Sequence, residues 1–192
     1  MQIHQRSVTY LAEQDRILAR IKSSSSEEVR LWLTRRLMLG LWPLLTKLLT
    51  AHLLKLEAAG RSLDSADESL KKMLADFRKE EFLRQADFET PFDEGSAEMP
   101  LGTEPLLITD VDATPLPDGR LRLTFNERLP QVDEPRCFQV ELQPALMQGL
   151  MHLLEQSLAR AQWAEPFSAP LPSEAGHLHD DHEALRRPRY LN

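Results

Sequence analysis

Two stretches of the chain repeat one pattern of apolar positions. A shift of 109 residues places 33–45 (LTRRLMLGLWPLL) over 142–154 (LQPALMQGLMHLL), with seven of thirteen positions identical. Leucines recur in any two core helices, but the order Leu-Met-x-Gly-Leu, which sets Met38 and Gly40 over Met147 and Gly149, is more specific. Just before each copy, apolar and polar residues alternate with period two. There 29–33 (VRLWL) matches 138–142 (FQVEL), the pattern of a strand with one inward face. Further upstream, 17–21 (ILARI) matches 121–125 (LRLTF), while 6–11 (RSVTYL) and 105–111 (PLLITDV) each read as a first strand. Pro117, Asp118 and Gly119 mark a turn between strands of the second copy. Thr34 is the cap candidate for the first helix, and Pro144 suits the first turn of the second, where a missing N–H costs nothing.

The expected fold is α+β: two βββα repeats related by a pseudo-twofold, an antiparallel sheet packed on helices, and a helical insert between the repeats. The expected boundaries are 1–60 for the first repeat, 61–104 for the insert and an acidic loop, and 105–165 for the second repeat. Residues 166–192, rich in proline and charge without periodicity, read as a disordered tail. Within the insert, Leu70, Met73, Leu74 and Phe77 recur at helical spacing, and Ser65 or Asp67 is placed to cap the start. That stripe is expected to dock on the domain; the alternative is a detachable helix that binds a partner.

The first helix is apolar almost all round, which raises the question of a membrane. Lys47 and His52 interrupt its apolar window 37–54, whereas a spanning helix needs about 20 predominantly apolar residues. Its echo carries Gln148, His152, Glu155 and Gln156 between the leucines and reads as amphipathic. The expectation is therefore no membrane insertion, and a helix buried on more than one side. The extra apolar surface of Leu39, Trp42 and Pro43 calls for a cover: the insert, or a second copy in a homodimer.

Charge sharpens this picture. The net charge is −7, spread as +4 over 1–60, −9 over 61–118 and −2 over 119–192, which argues against a protein that grips nucleic acid by bulk charge. The single cysteine, Cys137, cannot form an internal disulfide, and no signal sequence opens the chain, so a cytoplasmic protein is expected. The context EPRCFQV places Cys137 at a strand start, read as a buried structural thiol.

The layout of two strand-rich units, each ending in a helix, around a charged helical segment resembles the uncharacterised bacterial YjeJ-like family. The stretches LRLTF and CFQVELQPALMQGLMHLL carry that resemblance. It implies a bacterial protein and imports no activity. Paired strand–helix units are also similar in layout to the PUR-type binders of single-stranded nucleic acid, an analogy of fold alone.

No phosphate-cradling glycine loop and no G-x-S-x-G elbow occurs in the sequence, and neither an enzyme nor a cofactor is expected. Asp110 and Asp112 share one face of a strand by period two. His177, His179 and His182, with Asp180 and Asp181, form the one metal-like cluster, but in a tail where adventitious binding is the commoner meaning. The closing ALRRPRYLN has the character of a short docking motif. Alternation also sends Arg20, Lys22, Arg30 and Trp32 to one sheet face, which Arg120 and Arg122 are expected to share. Cationic surfaces with a stacking aromatic bind single strands. The expected function is a non-enzymatic interaction or regulatory protein, a homodimer through its first helix; the alternative is a single-stranded nucleic-acid binder that uses those six residues.

Overall fold

The computed structural model describes residues 3–58, 68–130 and 135–163. The histidine cluster, ALRRPRYLN, and the cap candidates Ser65 and Asp67 lie outside the described residues. The chain folds as β1 (Ile3–Leu11), β2 (Arg16–Ser23), β3 (Glu28–Thr34), α1 (Arg35–Ala58), α2 (Glu68–Gln85), β4 (Leu106–Leu107), β5 (Asp110–Pro115), β6 (Leu121–Glu127), β7 (Arg136–Leu142) and α3 (Pro144–Arg160). The class is α+β, as the alternating and helical periods required.

The inward set of each strand follows the alternation. Ile17, Ala19 and Ile21 of β2, Val29, Leu31 and Leu33 of β3, Leu121, Leu123 and Phe125 of β6, and Phe138, Val140 and Leu142 of β7 are all buried. Removal of such side chains from water contributes roughly 1.5–3 kcal/mol apiece. Strand β3 runs directly into α1, whose first turn is capped where Leu37 N donates to Thr34 Oγ1 at 3.3 Å. Pro144 occupies the first turn of α3. The Pro117–Gly119 turn is closed by Leu116 N donating to Arg120 O at 2.8 Å, and Gly119 takes φ +86°, which favours glycine.

One antiparallel sheet was expected, and two sheets are found. The first has order β1-β2-β3-β4 and is mixed, because β4 lies parallel to β3; the second is the antiparallel β5-β6-β7. The expected first strand at 105–111 divides between them. Leu106 and Leu107 pair with Leu31 and Trp32, and β5 begins only at Asp110. The physical reason is that 106–109 bridges the two sheets. Ile108 N donates to Trp32 O at 3.1 Å and Thr109 N to Asn126 O at 2.8 Å, while Leu106 and Ile108 bury their side chains.

The two hairpins share a register. Ile17, Ala19 and Ile21 stand opposite Leu33, Leu31 and Val29; Leu121, Leu123 and Phe125 stand opposite Leu142, Val140 and Phe138. The helices pack reciprocally: α1 lies on β3 and β5, and α3 on β7 and β1, where Ser157 Oγ donates to Val8 O at 3.1 Å. A continuous apolar core joins Met38, Leu41, Leu45 and Leu49 of α1 to Met147, Leu150, Leu154 and Leu158 of α3. Trp163 closes it, stacked edge-on to Tyr10 at 5.7 Å and donating from Nε1 to Asp15 Oδ1 at 3.1 Å. No helix among the described residues is long and apolar enough to cross a membrane.

Three expectations about exposure need correction. Met73 and Phe77 of α2 are 62% exposed, because the helix turns Leu74 of the predicted stripe inward, together with Phe82, which packs on the core. Cys137 is exposed; Phe138 and Val140 take the inward positions of β7 and alternation turns its neighbour out. Gln148 is almost wholly buried, whereas its counterpart Leu39 is 41% exposed, the reverse of what their polarity suggests. Helix α2 packs against both α1 and α3, so a third element, which periodicity does not register, helps to decide which faces are covered.

Candidate functional site: two matched grooves

Between each long helix and the first strand of the opposite sheet runs a groove. The one under α1 has a volume of about 570 Å³ and is lined by Leu37, Gly40, Leu41 and Leu44 against residues 107–111. The one under α3 has a volume of about 500 Å³ and is lined by Ala145, Leu146 and Leu153 against His4, Gln5 and Arg6 of β1. The same shift of 109 relates the helical walls: Leu37 to Leu146 and Leu44 to Leu153.

The grooves differ in what closes them. Phe82 of α2 and the following segment, with Phe88 and Phe92, line the α3 groove on its outer side. That segment is a built turn. Asp87 Oδ1 accepts from the N–H groups of Glu89 and Thr90 at 3.0 Å, and its Oδ2 accepts from Thr90 Oγ1 at 2.6 Å. These bonds hold the Asp87 carboxyl below its ordinary pKa. Phe88 stacks on His152 at 5.0 Å, and Asp93 N donates to Gln5 Oε1 at 3.0 Å. The α1 groove has no such roof among the described residues, and Leu44, which lines it, is 43% exposed. A Cβ on Gly40 would meet nothing within 4 Å.

The floor of the α3 groove holds a group that the sequence reading passed over. Arg6 makes no hydrogen bond or ion pair with any described residue, and its Nε is buried without a partner. Burial lowers the guanidinium pKa from its ordinary value. The head lies directly against Gly149. A Cβ there would collide with Nη2 and stand only 2.9 Å from Cζ. Gly149 was legible as a repeat marker, but the partner it admits lies 143 positions away and has no local signal.

The six residues of the basic face do not share one sheet. Arg20, Lys22, Arg30 and Trp32 belong to the first sheet, and Arg120 and Arg122 to the edge and strand of the second. Each cation has a carboxylate. Buried Glu28 accepts from Arg20 at 2.8 Å and from Arg30 at 2.7 Å. Glu94 takes Arg20 at 2.6 Å, Asp93 takes Lys22 at 2.5 Å, and Phe92 lies 4.3 Å below the Arg20 guanidinium. Lys22, expected on an open face, is 4% exposed beneath this segment. The acidic middle of the chain thus folds back over the basic first strands. On the second sheet, Asp118 and Glu141 hold Arg120, and Glu141 also holds Arg122 at 2.7 Å. Burial pushes the Glu28 pKa up, but the hydrogen bonds from Arg20 and Arg30 outweigh it and hold the carboxyl below its usual range.

Asp110 and Asp112 share a face as period two required, and both accept from Asn126 Nδ2, at 2.8 and 3.0 Å. Among the described residues no group of three metal-ligating side chains comes together. No protein-family model matches the chain, and no curated protein or solved structure does either.

Proposed function

We propose that this protein is a non-enzymatic interaction module of the bacterial cytoplasm that pairs with a second copy of itself through the exposed face of α1. The observation that carries this reading is the inequality of the two grooves. The chain roofs its α3 groove with Phe82, Phe88 and Phe92, while Leu44 stands 43% exposed on the α1 groove. Exposed apolar surface continuous with an open groove marks interaction sites more often than scattered apolar residues do. The open space at Gly40 lets another helix approach closely. Arg36 and Asp110 line the same groove, so two copies meet with balanced charge.

The pseudo-twofold between the halves belongs to this reading. Its support is the shared hairpin register, the reciprocal packing of α1 on β5 and α3 on β1, and the matched helical walls. A molecule with two like grooves, one roofed by its own chain, leaves the open one for a partner. The cytoplasmic assignment rests on the lone cysteine, and the bacterial one on the YjeJ-like layout.

Light scattering across a concentration series tests the proposal. A dimer is expected, and Leu44→Asp is expected to give a monomer with unchanged circular dichroism, since Leu44 is not a core residue. A wild-type protein that stays strictly monomeric at high concentration overturns it. The single-strand reading has less support, because the cations it needs are already matched by carboxylates of the same chain. Oligonucleotide retention at physiological salt, abolished by Arg30→Ala with Trp32→Ala, would restore it.

A further inference from the structure

A guanidinium has five N–H donors. In Arg6 none is used by a described residue, and its Nε is cut off from solvent. A buried N–H donor without a partner is costly, so such groups are paired or serve a ligand, and the rest of the Arg6 head opens on the cleft. Packing does not demand the arginine. Arg6 stands opposite Ile21, and the residue at the same register position of the second sheet, opposite Phe125, is Val111. A second concession supports the same point. Glycine in a helix interior is unfavourable, yet Gly149 lies buried within α3, where only the absence of a Cβ gives the Arg6 head its place. Two unfavourable choices, a buried N–H without a partner and a mid-helix glycine, meet at one point on the floor of a cleft of about 500 Å³.

We propose that the Arg6 cleft binds a small organic monocarboxylate with an apolar or aromatic body. The planar guanidinium fork matches a carboxylate in bidentate fashion. Phe82, Phe88 and Phe92 supply apolar walls for the body, and the volume suits a ligand of small-molecule size. Asp87 lines the same cleft as a fixed negative charge, held ionised by the Glu89 and Thr90 hydrogen bonds. The Asp87 carboxylate repels added negative charge, which penalises a phosphate dianion more than a singly charged ligand. This site is separate from the α1 face and stands whether or not the protein dimerises.

Backbone-amide NMR titration of the full chain with phenylacetate tests the proposal, with phenylacetamide as the neutral isostere and inorganic phosphate as the competing anion. Saturable shifts are expected at residues 4–6 and 86–92, with a dissociation constant of about millimolar order for a ligand of about ten non-hydrogen atoms. Phenylacetamide should bind about tenfold more weakly or worse, because the charge-assisted bonds are lost. Phosphate should give no saturable shift in the cleft. Arg6→Gln and Gly149→Ala, the second by displacing the guanidinium, should each weaken phenylacetate about tenfold while leaving shifts elsewhere unchanged. The proposal is overturned if phenylacetate does not saturate, if phenylacetamide or phosphate binds as tightly, or if Arg6→Gln binds phenylacetate like the wild type. Should both variants fail to fold, the comparison of phenylacetate with phenylacetamide on the wild-type chain decides.

Discussion

Replacement of Gly149 by alanine sets two effects against each other, and Arg6 decides the winner. Alanine within a helix is favoured over glycine by about 1 kcal/mol. At Gly149 the three atoms nearest to the new Cβ all belong to the Arg6 guanidinium, with Cζ at 2.9 Å and Nε at 3.2 Å. The head must swing aside, but it is the far end of a flexible side chain with no hydrogen bond to break, so the displacement costs about 1 kcal/mol, the low end for forced repacking. Gly149→Ala alone is therefore expected to be about neutral, with the helical gain of about 1 kcal/mol offset by displacement of the guanidinium. In an Arg6→Ala background the obstacle is gone, and the same change should stabilise by about 1 kcal/mol. Gly40→Ala is the internal control. It meets nothing within 4 Å and, at a concentration where the chain is monomeric, should stabilise by about 1 kcal/mol with or without Arg6. Urea denaturation with an unchanged m-value measures all of these. A coupling of about 1 kcal/mol between positions 6 and 149 is the expected result. Additivity within about 0.5 kcal/mol would refute the claim that the glycine is there for the guanidinium.

Two further expectations concern the groups that hold the fold. Glu28 has a lowered folded-state pKa, so its contribution is fully present above the ordinary glutamate value of 4.5 and is lost as the pH falls through the folded-state value. Glu28→Gln should cost about 2–3 kcal/mol near neutral pH and flatten the loss of stability on acidification; an equal acid slope in variant and wild type would sink the assignment. Trp163 is 2% exposed and ties the end of α3 to Tyr10 and Asp15. Trp163→Ala should cost about 3–5 kcal/mol, and a loss under about 1 kcal/mol in calorimetry or urea would show that the core closes without it.

The local periods of the sequence determined the element types. Alternation at 17–21, 29–33, 121–125 and 138–142 marked four strands and their inward residues, all of which are buried. The echo of 33–45 at 142–154 marked two helices entered from a strand, and Thr34, Pro144 and the Pro117–Gly119 turn marked boundaries that the backbone observes. Each of these signals acts within a few residues of itself, through pleat, helical rise or the fixed φ of a proline. Even the exposure of Cys137 was written there, one step out of phase with Phe138.

Only the tertiary structure decided the rest, because those choices are made across 70 or more positions. Leu106 and Leu107 read as part of a second-half strand, yet they extend the first sheet because the unpaired edge of β3 is where the returning chain passes. Lys22 and Arg20 read as an open basic face, yet Asp93 and Glu94, more than 70 residues later, close over them. Met73 and Phe77 face solvent and Gln148 is buried because a helix has several sides, and the neighbours choose which one is covered. The Arg6 cleft belongs to this second class. A glycine in one helix and an arginine in the opposite sheet have no local relation, and their meeting arises only when α3 is laid across β1.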